Sequence, residues 1–194
     1  MIASESSKLK SVILINKSDL DTKKQIDKWK SLYEEISYTV IVSSAIDKTG
    51  IEEIKELLMN KRSLLWGQSG VGKSSLLNVI FPQIELKIGN ISTYSVKGKH
   101  TTVTSVMIPV GEKTFAIDTP GVRENDPYGI QKADLGHYFP EFIEHLGGCK
   151  FSTCTHNHEP ECAVKEAADN EKISIERYES YLRMLETVEE DLHF

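Results

Sequence analysis

Gly67-Gln68-Ser69-Gly70-Val71-Gly72-Lys73-Ser74 fills every fixed position of G-x-x-x-x-G-K-[ST], the phosphate-binding loop. The run Ser63-Leu64-Leu65-Trp66 before it reads as a short buried strand, and Ser75-Leu76-Leu77-Asn78-Val79-Ile80 after it as the first turns of a helix. Strand, loop and helix together are the context the motif needs. Glycines let the backbone approach a phosphate closely, so that successive N–H groups form an anion nest at a helix N-terminus. Lys73 would reach the β and γ phosphates, and the Ser74 hydroxyl, followed by Ser75, would face Mg²⁺.

Working outward, the chain of 194 residues has room for one α/β domain and a small appendix. No run of about 18 apolar residues is present, and the N-terminus lacks the basic-then-apolar pattern of a signal peptide, so the cytoplasm is the expected compartment and no membrane partner is expected. A net charge of −6 gives the whole chain no electrostatic reason to bind nucleic acid; any RNA contact must be local. The three cysteines, Cys149, Cys154 and Cys162, are clustered, which in a cytosolic protein suggests metal before disulfides.

Toward the N-terminus, residues 11–15 form an apolar run suited to a fully buried parallel strand, and they deliver Asn16-Lys17-Ser18-Asp19 at its carboxyl end, where open α/β sheets bind ligands. Asn-Lys-x-Asp there resembles the guanine-recognition motif of the GTPase superfamily. The Asp19 carboxylate can accept N1–H and N2–H from guanine, donors that adenine does not offer; Asn16 would contact the N7 edge and Lys17 the ring face. Residues 21–35 show helical spacing of Ile26, Trp29, Leu32 and Tyr33. A β-branched strand at 38–42 then leads to Ser43-Ser44-Ala45, resembling the superfamily's second base-contacting loop. A helix with Ile54, Leu57, Leu58 and Met59 on one side leads on to the phosphate loop.

Toward the C-terminus, residues 85–98 read as an exposed connection ending in Lys99-His100-Thr101-Thr102. A threonine hydroxyl here, assigned to Thr102, would complete the Mg²⁺ shell and make the loop respond to the γ-phosphate. Strands at 103–110 and 113–117, turned at Gly111-Glu112, run into Asp118-Thr119-Pro120-Gly121, which matches Asp-x-x-Gly. Asp118 would hold Mg²⁺ through water, and the Gly121 amide would meet the γ-phosphate. A helix is expected at 134–146, and another at 173–192 with a stripe of Ile175, Tyr178, Leu182, Leu185 and Val188. Between them, Cys149, Cys154 and Cys162 with His156 or His158 make a Cys₃His set suited to one tetrahedral, structural zinc.

The guanine-reading motifs precede the phosphate loop, whereas ordinary GTPases have the reverse order. This is a circular permutation. The permuted order, the wording of residues 67–78 and the downstream cysteines closely resemble the RsgA (YjeQ/YloQ) family of bacterial GTPases. The resemblance implies a circularly permuted P-loop GTPase domain (1–125) followed by a small helical zinc-binding domain (126–194). It implies hydrolysis of GTP to GDP, stimulated by the small (30S) ribosomal subunit in late maturation, with rRNA as partner and a monomeric protein when complete. It also favours His156 over His158, through the family's Cys-x-His pattern.

Two departures from that family pattern stand out. The family's N-terminal OB-fold has no counterpart here, and no candidate exists for a strand expected between the phosphate-loop strand and the Asn-Lys-x-Asp strand. A gap there would leave two rows of backbone groups unpaired, so an incomplete form, with that strand missing, replaced or supplied by another chain, is expected. Catalysis raises a further question, because Val122 occupies the position after Asp-x-x-Gly and cannot orient water. His100 is the candidate, as a neutral imidazole near the γ-phosphate, and the resemblance supports a histidine in this switch. The alternative is a guanine-nucleotide-dependent binding module with little turnover; an ATPase is disfavoured by residues 16–19.

Overall fold

The computed structural model describes residues 1–84, 106–118 and 129–188. His100, Thr101, Thr102, Gly121 and Val122 lie outside the described residues, as does the expected connection at 85–98. The chain divides into two compact units. One comprises Val12–Tyr33 and Thr39–Glu124; the other comprises Met1–Ser11, Glu34–Tyr38 and Asn125–Phe194.

In the first unit, β1 (Val12–Asn16) pairs in parallel with β2 (Thr39–Ser43), from Val12 opposite Thr39 to Asn16 opposite Ser43. A second sheet is built from β3 (Arg62–Leu65), β4 (Val106–Gly111) and β5 (Thr114–Asp118) in the order β3-β5-β4, with β3 parallel and β4 antiparallel to β5. The hairpin turns one residue later than expected, with Lys113 at φ 54°. Among the described residues, β1 and β3 therefore each have a strand on one edge only.

That arrangement corrects two expectations. β1 is half-buried along its length rather than enclosed, and β3 leaves Leu64 45% and the following Trp66 48% exposed. A parallel strand is fully enclosed only inside a sheet with helices on both faces; at an edge, its apolar side chains stay partly wet. The core of this unit lies elsewhere. The first two helices of the chain are α1 (Ile2–Ser6) and α2 (Ile26–Glu35). The core joins Ile41 of β2 and Val110 and Ala116 of the hairpin to the next two, α3 (Ile51–Leu58) through Ile51, Ile54 and Leu58, and α4 (Lys73–Ile80) through Leu76, Leu77 and Ile80. Burying each such side chain is worth about 1.5–3 kcal/mol, which fixes α4 and hence the loop that precedes it.

The helix expected from residue 21 starts at Ile26 and ends at Glu35. Asp21 explains the delay, because its carboxylate accepts the N–H groups of Gln25 (3.1 Å) and Ile26 (3.0 Å) and so caps the first turn. None of its residues is fully buried, and Trp29 is 36% exposed.

The other unit is built around Leu135, Phe139, Phe142, Val164, Ile173, Tyr181 and Leu185, joined by Ile2 from a short N-terminal helix, Ile2–Ser6. The single helix expected at 134–146 is broken into 3₁₀ turns at Lys132–Tyr138 and Pro140–Phe142 and one α-helical turn at Ile143–Leu146. Pro140 is the cause: it lacks an N–H, and Phe139 before it is extended at φ −109°, ψ 102°. A helix not anticipated covers Ala163–Asp169. The last described helix runs Ile175–Thr187, shorter than expected. Its inward face also differs, since Ile175 is 53% exposed while Arg177 and Tyr181 are buried. Arg177 is admitted by Glu141, whose Oε1 accepts from its Nε at 2.6 Å, and by the face of Phe139, 4.8 Å away.

Candidate functional site: a phosphate loop joined to a base-reading motif, and a metal centre

β3 delivers the phosphate loop and α4 receives it. Gly70 and Gly72 sit at φ 82° and 99°, a region that side chains rarely adopt, and the turn they allow brings the chain into α4 at Lys73. The Lys73 ammonium donates to the carbonyls of Gly67 (2.6 Å) and Gln68 (3.0 Å), so it lies across the loop. Gln68, Ser69 and Val71 are exposed on that loop, and Ser74 and Ser75 are half-buried in the first turn of α4.

The end of β1 meets this loop. The Asn16 side-chain amide donates to the Val71 carbonyl at 2.7 Å, and the Lys17 ammonium to the Gly70 carbonyl at 2.7 Å. Lys17 holds a left-handed φ of 64° and opens a 3₁₀ turn, Ser18–Leu20, that carries Asp19. Ser43 and Ser44, both fully buried at the end of β2, complete the arrangement. Ser43 Oγ donates to Asn16 Oδ1 at 3.3 Å, and Ser44 Oγ donates to Asp19 Oδ1 at 2.5 Å while accepting the N–H groups of Ile46 and Asp47. Ala45 follows in the turn and packs on the core of this unit. Asn16, Lys17, Asp19, Ser43, Ser44 and Ala45, far apart from residues 67–75 in sequence, thus share one corner with them. Asp118 ends β5, directly opposite Leu65 of β3.

The other unit holds the second cluster. Cys149, Cys154, His156 and Cys162 bring their ligand atoms within 4.8 Å of one another. Cys149 Sγ lies 3.6 Å from His156 Nδ1 and 3.9 Å from Cys162 Sγ, and His156 Nδ1 lies 3.4 Å from Cys162 Sγ. A tetrahedral ion with bonds of about 2.3 Å to sulfur and about 2.0 Å to nitrogen has edges of about 3.8 and 3.5 Å, which these separations match. They are far too long for disulfides, whose sulfurs are about 2.05 Å apart. His158, the rival ligand, is exposed and outside the cluster.

Burial pushes the Cys154 thiol up to about 12, raises Cys162 and lowers His156. All three groups are thereby biased to the neutral form unless a cation offsets the cost of ionising the thiols. Three neighbours of this cluster were not anticipated. The Tyr178 hydroxyl donates to the His156 carbonyl and the Tyr181 hydroxyl to the Thr155 carbonyl, each at 2.7 Å, and the Glu159 carboxylate accepts from both sides of His156. Tyr178 was legible only as part of an apolar stripe; nothing in the sequence shows where a hydroxyl points.

The profile of the RsgA GTPase family matches residues 1–127. The small ribosomal subunit biogenesis GTPase RsgA of Phocaeicola vulgatus is 44% identical over 181 residues, 92% of this chain and 58% of its own length. Its counterpart in Chlorobaculum parvum is 39% identical over 190 residues, 98% of this chain and 61% of its own length. The crystal structure of YjeQ from Thermotoga maritima superposes with a TM-score of 0.76 at 37% identity, covering 95% of this chain and 62% of that one. That of YloQ, a circularly permuted GTPase, superposes with a TM-score of 0.71 at 27% identity, covering 95% and 59%. The chain spans about three fifths of the length of these relatives. On motif order, sequence and backbone alike, it belongs to the RsgA GTPase family and has the circularly permuted α/β fold of that family's solved members.

Proposed function

We propose that this chain forms the GTP-binding and GTP-hydrolysing part of a protein acting on the small ribosomal subunit late in its maturation, with the small subunit and its rRNA as partners. The observation that carries this reading is the pair of hydrogen bonds from Asn16 and Lys17 to the phosphate loop, beside an Asp19 already oriented by Ser44. They join a guanine-reading carboxylate to a phosphate nest, the two ends of one nucleotide.

In this reading the Asp19 carboxylate accepts from guanine N1–H and N2–H, and the amides of residues 67–75 hold phosphate. Lys73 turns from its carbonyl partners to the β and γ phosphates. Mg²⁺ would be held by Ser74, Thr102 and, through water, Asp118, supplying charge neutralisation at the phosphates. Thr101 and Gly121 would meet the γ-phosphate region, and His100 would orient the attacking water. Residues 12–33 and 39–124 form the nucleotide-binding unit, and residues 1–11, 34–38 and 125–194 a zinc-held one, so the boundary expected at residue 125 holds except for the two N-terminal segments that join the second unit. The four-ligand Cys₃His geometry favours zinc in a structural role, with no position left for substrate. The protein is taken as cytoplasmic and monomeric when complete.

The test is phosphate release from GTP and from ATP, with and without purified small ribosomal subunits. Release from GTP alone, accelerated by the subunits, is the expected result; equal release from ATP would overturn the reading. Val122 favours a second outcome, tight guanine-nucleotide binding with scarcely any turnover even when subunits are added.

A further inference from the structure

The metal cluster contains one ligand whose backbone is unusual. His156 sits at φ 54°, a left-handed conformation that a non-glycine residue keeps only where its surroundings hold it. Three side chains hold this segment from both sides. Glu159 Oε1 accepts from the Thr155 N–H (2.7 Å) and the Thr155 hydroxyl (2.6 Å), and Glu159 Oε2 accepts from the Asn157 N–H (3.0 Å). The carboxylate thus straddles His156, one oxygen bonded to the residue before it and the other to the residue after. On the opposite side, Tyr181 and Tyr178 donate to the carbonyls of Thr155 and His156.

We propose that Glu159, with the hydroxyls of Tyr178 and Tyr181, is the positioning frame that keeps His156 Nδ1 turned toward the three thiols, and thereby sets the affinity of this centre for its metal. The proposal rests on the metal reading of the Cys₃His cluster. Only a carboxylate offers acceptors on both oxygens at this span; a glutamine retains one of the two and an alanine neither. Burial acts to raise the Glu159 carboxyl, but its hydrogen bonds from Thr155 and Asn157 outweigh that and bring it down to about 2, so both oxygens remain acceptors throughout the neutral range. Of the three, Tyr178 bonds the His156 carbonyl itself. Its hydroxyl can be removed without changing charge, which separates a geometric role from the attraction of a nearby anion for a cation.

The full chain is titrated with Zn²⁺ against a chromogenic chelator, and with Co²⁺ while recording thiolate charge-transfer and ligand-field bands. The wild type should bind one ion. Glu159→Ala should bind about 10- to 100-fold more weakly, with cobalt bands displaced toward those of a His156→Ala control. Glu159→Gln should recover part of the loss, and Tyr178→Phe should weaken binding several-fold at unchanged charge. Should Glu159→Ala fail to fold, Tyr178→Phe carries the test. Wild-type affinity and wild-type cobalt bands in Tyr178→Phe and Glu159→Gln would overturn the frame while leaving the metal centre intact. A wild type that binds neither ion would instead remove the metal reading.

Discussion

The Asn16 amide donates to the Val71 carbonyl at 2.7 Å, spanning 55 positions in the chain to fasten the turn that carries Asp19 onto the phosphate loop. Asn16→Ala removes this bond and that with Ser43. With each net hydrogen bond worth about 1 kcal/mol, GDP affinity should fall roughly 5- to 30-fold. Preference for guanine over adenine should survive, because Asp19 is untouched. Equilibrium titration with fluorescent GDP and competing ADP checks both.

Asp19→Asn replaces two acceptors with one acceptor and one NH₂ donor. The donor faces guanine N2–H unfavourably but matches the carbonyl oxygen that xanthine carries there. Preference should therefore shift from GTP toward XTP, by a factor of about 10 or more for one mismatched hydrogen bond. Competition binding of the two triphosphates reads it directly.

Gly72→Ala should abolish nucleotide binding while leaving the fold in place. Gly72 has φ 99°, and a methyl group on it would run into the Asn16 amide. The substitution is strained twice over, by backbone conformation and by contact. Circular dichroism should stay near wild type while GDP titration shows no saturation.

Removing metal should destabilise the unit that holds Cys149, Cys154, His156 and Cys162. A chelator, or Cys162→Ser, should lower its thermal midpoint by at least several degrees, since binding energy at such a site is also folding energy. Gly136→Ala offers a subtler check, because its methyl would lie 2.9 Å from His156 Nε2 and push the ring. Zinc affinity should fall in that variant too, as followed by chelator competition.

The start of the helix Ile26–Glu35 should depend on acid. Hydrogen bonds from the Ile26 and Gln25 amides hold the Asp21 carboxyl below its usual value of 3.8. A carboxyl depressed in the folded state contributes stability in full above its unfolded value and loses it as pH falls through the folded one. Protection of the Gln25 and Ile26 amides, taken relative to their intrinsic exchange rates at each pH, should therefore fall below about pH 4, and Asp21→Asn should flatten that dependence.

The glycine-rich loop, the Asn16–Asp19 turn beside it and the clustering of the Cys₃His set could be read from sequence because each depends on residue identity at fixed spacing. The Gly70–Gly72 turn and the Cys₃His cluster needed no knowledge of packing. What was missed depends on context that identity does not encode. Residues 134–146 carry helical residues, yet Pro140 divides them. Arg177 is a surface type that enters a core because Glu141 and Phe139 receive it. Val12–Asn16 reads as a fully enclosed strand, yet its enclosure depends on neighbours, and among the described residues it has a strand on one edge only.

One feature of the fold carries over to how the protein is made. Ile2 is packed with Leu135 and Phe142, and Tyr38 donates a hydrogen bond to Glu5, within a unit whose remaining residues begin at Asn125. A ribosome therefore releases Met1–Ser11 more than a hundred codons before it reaches Asn125. Ile2 is thus translated well before the residues it packs against, and this unit can close its core only after the other has been made.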